Sequence, residues 1–64
     1  MTQDEAKAAI VGEFHSLPEA KQLSTVERLD FVRQMMSKYK FNTPGHPYQV
    51  IRGWLIAELP DENW

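Results

Sequence analysis

The chain has 64 residues, a formal charge of −2, and a composition of 42% hydrophobic and 25% charged residues. A chain of this length forms one domain with a radius of gyration of about 11 Å, which excludes a two-domain enzyme. The composition also excludes an intrinsically disordered chain.

The sequence contains no cysteine, so it lacks the disulfides on which small secreted domains usually depend. No apolar run approaches the roughly 18 residues of a membrane span, and Met1–Glu5 lacks the basic and apolar stretch of a signal peptide. We therefore expect a cytoplasmic protein without a membrane partner.

The first predicted helix covers residues 3–15. Apolar side chains recur along one side of it at helical spacing: Ala6, Ile10, Phe14 and Leu17. Thr2 is followed three residues later by Glu5, which is the pattern of a capping box. The opposite side carries the small residues Ala8 and Gly12.

A short helical turn is predicted near residues 18–22, because Pro18 cannot continue the first helix. Ser16 and Glu19 repeat the capping-box spacing ahead of this turn, and Ser24 and Glu27 repeat it ahead of the next helix.

The second predicted helix covers residues 25–40. Five apolar or aromatic side chains share one side, with Phe31 at its edge: Leu29, Val32, Met35, Met36 and Tyr39. Lys38 and Lys40 lie in the last turn, where the helix dipole favours cations.

The third principal helix is predicted over residues 47–59, with His46 as its cap and Pro47 in its first position. Its apolar arc is wide enough to pack on more than one neighbour: Tyr48, Ile51, Trp54, Leu55 and Leu59. Residues 60–64 follow as an acidic tail that ends in Trp64.

The sequence therefore predicts a single all-α domain over residues 1–64, a small bundle of three principal helices with one short helical turn. No segment shows the alternation of a strand. The predicted core consists of Ile10, Phe14, Leu29, Val32, Met36, Ile51, Trp54 and Leu55.

Catalysis is not indicated by the sequence. His15 and His46 match no metal-binding spacing, and no phosphate-binding glycine loop or nucleophile motif occurs. We expect no enzyme activity, no cofactor and no metal site. His46 is predicted to cap a helix, and His15 to be solvated or to face a partner.

The basic residues are clustered. Residues 31–57 contain four bases and no acid: Arg33, Lys38, Lys40 and Arg52. One interpretation is a helix-turn-helix-like DNA-binding regulator that uses helix 47–59, with contacts from Lys38, Lys40, Tyr48, Gln49 and Arg52. The turn of about six residues is longer than the three or four of that motif. The other interpretation is that the helix dipole attracts the lysines and that the aromatic residues belong to the core.

A protein-interaction surface is the favoured functional interpretation. The outward stripe of the third helix contains Gln49, Arg52, Gly53 and Ile56, and Ala8 with Gly12 forms a second smooth patch. Glycine inside a helix costs about 1 kcal/mol relative to alanine, which indicates a close backbone approach either to a partner or to another helix of the same chain. We expect a non-enzymatic, regulatory binding module that docks on a protein partner or self-associates.

Overall fold

The computed structural model describes residues 1–62 and residue 64. Its four helices are α1 Gln3–His15, α2 Glu19–Leu23, α3 Thr25–Lys38 and α4 Pro47–Glu58. The described residues contain no strand. The predicted small all-α bundle is confirmed, and the radius of gyration is 11.0 Å.

The helix ends follow local capping chemistry. The Thr2 hydroxyl accepts from the Glu5 amide at 3.2 Å and the Glu5 carboxylate accepts from the Thr2 amide at 3.0 Å, so the predicted capping box is confirmed. The Ser24 hydroxyl accepts from the Glu27 amide at 3.5 Å at the start of α3. His46 caps α4 as predicted, because its Nδ1 accepts from the Tyr48 amide at 3.2 Å.

Some predicted boundaries and caps differ from the structure. The short helix predicted near residues 18–22 is Glu19–Leu23, and the helix predicted over residues 47–59 ends at Glu58, with Leu59 as its C-cap. Ser16 does not open a capping box with Glu19: its hydroxyl donates to the Gly12 carbonyl at 3.1 Å and it closes α1, while Pro18 precedes the first residue of α2. The helix predicted over residues 25–40 ends at Lys38 because Tyr39 turns to an extended conformation, with φ −114° and ψ 118°.

The core lies where α4 packs against both α1 and α3. Its buried apolar members are Ala6, Ile10, Phe14, Phe31, Val32, Met35, Ile51 and Leu55. α2 packs against α3 at the edge of this core. The wide apolar arc of α4 therefore does meet two neighbours.

Three residues of the predicted core are only half-buried: Leu29, Met36 and Trp54. Met36 and Trp54 nevertheless pack against the buried cluster. The inner face of α3 is rotated from the predicted one and includes Arg28, which is fully buried. The predicted core contains only apolar residues. Burying an unpaired cation is costly, but Arg28 has partners inside the fold.

No helix within the described part of the chain is long and apolar enough to cross a membrane.

Candidate functional site

The outward side of α4 carries the stripe predicted to bind a partner, Gln49, Arg52, Gly53 and Ile56, called the α4 stripe below. The spacing of three and four residues places these positions on one side of the helix. Gln49 and Gly53 are exposed, and Arg52 and Ile56 are half-buried. The α4 stripe therefore presents a surface of mixed polar and apolar groups, with no side chain at Gly53.

Neither helical glycine is explained by packing inside the chain. A Cβ atom placed on Gly12 or on Gly53 would meet no atom of the described residues within 4 Å. The interpretation that these glycines allow two helices of this chain to approach closely is therefore wrong. Glycine at either position is therefore explained by a partner molecule or by a cause other than packing.

The second predicted patch lies on the outer side of α1. Ala8 and Gly12 are both exposed, opposite the buried Ala6 and Ile10. The Gly12 carbonyl accepts the Ser16 hydroxyl at 3.1 Å. The patch is thus smooth but small.

Arg52 already has a partner within the chain. Its Nη2 donates to the main-chain oxygen of Trp64 at 2.7 Å. Arg52, the charged residue of the α4 stripe, therefore also holds Trp64 in place.

Trp64 lies over the core. Its indole nitrogen donates to the Leu59 carbonyl at 2.7 Å, and its ring lies 6.2 Å from the Phe14 ring, centroid to centroid. The Arg28 guanidinium carbon stands 4.7 Å from the indole centroid, within the range of a cation–π contact. Trp64 is thus folded back against the core.

Sequence reasoning missed the polar network around Arg28. The guanidinium Nη1 and Nη2 each donate to one Asp61 carboxylate oxygen at 2.6 Å, and Nε donates to the Gln22 carbonyl. The two bonds to Asp61 raise the pKa of Arg28, so it stays a cation although it is buried. The one available sequence signal was that Arg28 precedes Phe31 and Val32 by three and four residues.

Gln22 connects this network to α1. Its side-chain amide donates to the carbonyls of Leu17 at 2.8 Å, Phe14 at 3.1 Å and His15 at 3.4 Å. These are carbonyls at and just beyond the end of α1, where a helix leaves acceptors unpaired. One amide thus joins the end of α1 to α2.

The predicted nucleic-acid contacts are dispersed and partly engaged. Lys38 Nζ donates to the Glu13 carboxylate at 2.9 Å, and the Tyr39 hydroxyl donates to the same carboxylate. These two bonds, that from Tyr39 first, lower the pKa of Glu13. Lys40 Nζ donates to the Met36 carbonyl at 3.5 Å, and Tyr48 is half-buried.

The histidines occupy separate places. His15 Nε2 lies 3.1 Å from a Glu58 carboxylate oxygen and joins the ends of α1 and α4. His46 is engaged as the α4 cap. No group of three or more histidine or acidic side chains that could hold a metal ion occurs within the described residues.

The outer side of α3 carries a groove that the sequence reasoning missed. It is a shallow concavity of about 250 Å³ lined by Val26, Glu27, Leu29, Asp30 and Arg33, called the α3 outer face below. Sequence reasoning assigned Leu29 to the core and therefore left this surface without an apolar centre. The signal that could have found it is the spacing of Val26, Leu29 and Arg33 by three and four residues.

The fold and these surfaces define a small all-α helical bundle with outward faces of small and apolar residues. Comparison with protein-family models, curated proteins and solved structures finds no match. Function must therefore be inferred from the chain's own side chains.

Proposed function

We propose that this chain is a non-enzymatic, regulatory binding module of the cytoplasm that docks on a protein partner, or on another copy of itself, through the α4 stripe. The observation that carries the proposal is the open space beside Gly53. Glycine at this position costs helix stability and gives no packing in return within the described chain. A partner backbone that approaches α4 closely would supply the missing reason.

The chemistry of the α4 stripe is suited to a protein surface. Ile56 offers apolar area that is not fully used inside the molecule, and the exposed Gln49 amide can both donate and accept hydrogen bonds. Arg52 can add a charged contact at the rim, in addition to its bond to Trp64. Ala8 and Gly12 form a second smooth patch on α1 for the same or a further partner.

The alternative function is a helix-turn-helix-like DNA-binding regulator that reads DNA with Gln49 and Arg52. It is favoured by the run of residues 31–57 without an acid. Its phosphate contacts are weakened by the Glu13 carboxylate, which neutralises Lys38 at 2.9 Å. Because non-specific DNA affinity depends on unneutralised cations, we rank this function second.

The proposal is tested by capture of binding proteins from a lysate of the source organism with the parent chain and with Gly53→Gln. Glutamine is a better helix former than glycine by up to about 1 kcal/mol, so this variant should fold at least as well as the parent. Its side chain fills the space in which a partner would lie. We expect at least a tenfold loss of captured protein.

Gly45→Ala is the matched control. Its new Cβ would meet only the Val50 Cγ2 atom at 3.7 Å, an ordinary van der Waals contact, and Gly45 itself precedes α4. Unchanged capture by Gly53→Gln and by Ile56→Glu, with circular dichroism showing both folded, would overturn the proposal. Capture that disappears after nuclease treatment would support the DNA-binding alternative instead.

A further inference from the structure

The α3 outer face exposes apolar side chains that the core does not use. Val26 is 76% exposed, the highest value among the large hydrophobic residues exposed in the described chain, which include Leu23 at 47%. Leu29 is half-buried but does not pack against the core cluster. An apolar strip of this kind, bordered by charges, is typical of an interaction surface.

The charges at this face are of both signs and are available. Arg33 makes no side-chain hydrogen bond or ion pair with any residue that the structure describes, whereas Arg28 and Arg52 are both engaged. Glu27 and Asp30 line the same groove. The Asp30 carboxylate accepts from the Gln34 amide at 2.9 Å, and one of its two oxygens remains for another donor.

The α3 outer face is complementary in charge to the same face of a second copy of the chain. When two copies of α3 lie antiparallel with a two-fold axis between Leu29 and Asp30, Val26 of each copy faces position 33 of the other. Arg33 of each copy then lies beside the second copy's Glu27 and Asp30, and the two Leu29 side chains meet near the axis. Both charge contacts occur twice because the interface is isologous.

We propose that the α3 outer face is a homodimer interface, and that its occupant is the same face of a second copy of this chain. The balance of one base and two acids around an apolar centre fits this occupant better than a strongly charged partner. Chains of this size also have small cores, and burying Val26 and Leu29 between two copies adds apolar burial that one copy lacks. The proposal does not depend on the α4 stripe, which lies on another helix.

The mass in solution tests the proposal. In sedimentation equilibrium of the parent chain from about 10 μM to about 1 mM, the range expected for a small interface, we expect the average mass to rise above the monomer value. The monomer is 7.4 kDa. Leu29→Asp should stay at the monomer mass throughout, because it removes the apolar centre and places two carboxylates at the axis beside the two Asp30 side chains.

A charge exchange makes the test specific. Arg33→Glu alone places three acids together in the homodimer, and the double variant Glu27→Lys with Asp30→Lys places three bases together. Each should lose association. An equimolar mixture of the two should regain it as a heterodimer, because both contacts are then between opposite charges.

Ala57→Asp, an exposed position on α4, is the matched control for an added carboxylate. It should dimerise like the parent chain, and circular dichroism should show all variants folded. A parent mass that stays at the monomer value over the whole range overturns the proposal. So does a dimer that Ala57→Asp abolishes, or a mixture of the charge variants that stays monomeric.

Discussion

The two faces of α3 each carry an arginine, and the two residues have opposite environments. Arg28 on the inner face is fully buried, with both Nη atoms on Asp61. Arg33 is exposed and has no side-chain partner among the described residues. An arginine is thus buried in this core where the chain itself provides its counter-ion, whereas Arg33 stays at the surface.

The greatest loss of stability is expected from a change on the inner face of α3. Asp61→Ala leaves the buried Arg28 guanidinium without its carboxylate, and breaking a buried ion pair from one side costs about 3 to 5 kcal/mol. Arg33→Ala should change stability by less than about 0.5 kcal/mol, as is usual for surface positions. Urea unfolding followed by circular dichroism measures both.

Arg28→Met separates the loss of the ion pair from the burial of an unpaired cation in the same experiment. Methionine fills part of the space, and the Asp61 side chain, already 31% exposed, can regain water. This variant should therefore unfold at a higher urea concentration than Asp61→Ala. Equal urea midpoints for Asp61→Ala and the parent chain would show that the ion pair contributes nothing to stability.

Trp64→Ala should have an intermediate effect. The half-buried indole contacts Arg28 and Phe14 and donates to the Leu59 carbonyl at 2.7 Å. We expect a loss of about 2 kcal/mol, below the 3 to 5 kcal/mol of a fully buried tryptophan. The comparison is Trp54→Ala, whose half-buried ring lies 5.4 Å from Phe41. A loss for Trp64→Ala below about 0.5 kcal/mol, the usual range for surface positions, would mean that the folded-back indole adds no stability.

The smallest effect is expected at the partly exposed pair between Glu13 and Lys38. Hydrogen bonds from Tyr39 and Lys38 lower the pKa of Glu13 from its ordinary value of 4.5. Stability from a lowered carboxylate pKa is present above the ordinary value and is lost as the pH falls through the lowered one. Glu13→Gln should therefore destabilise the chain by less than about 1 kcal/mol at pH 7.

The pH dependence identifies the cause. The difference in unfolding free energy between Glu13→Gln and the parent should shrink below pH 4.5 and disappear once Glu13 is protonated. Thermal unfolding across this range measures it. A difference that stays constant down to acidic pH would assign the effect to the shape of the side chain and not to its charge.

Sequence reasoning succeeded where local chemistry decides the outcome. The period of Ala6, Ile10 and Phe14 identified the buried side of α1, and the caps at Thr2 and His46 follow from groups within a few residues. These features depend on backbone hydrogen bonds and on the helical repeat. Both can be read from neighbouring residues.

Sequence reasoning failed where a residue distant in the chain lowers the free-energy cost of burying a charged side chain. Arg28 was left outside the core because its partner Asp61 is 33 residues away. Once Arg28 turns inward, Leu29 turns outward, and the α3 outer face gains an apolar residue. The misplacement of Leu29 in the predicted core thus has its physical origin in the inward position of Arg28.

The ion pair between Arg28 and Asp61 also affects the cooperativity of unfolding. A segment at the end of a small domain ordinarily frays at little cost. Here, detachment of the segment that carries Asp61 would leave the Arg28 guanidinium without its carboxylate among the packed helices, and an unpaired buried cation is costly. Partly folded forms are therefore disfavoured. Opening of the C-terminal segment should accompany unfolding of the whole chain in a single cooperative transition.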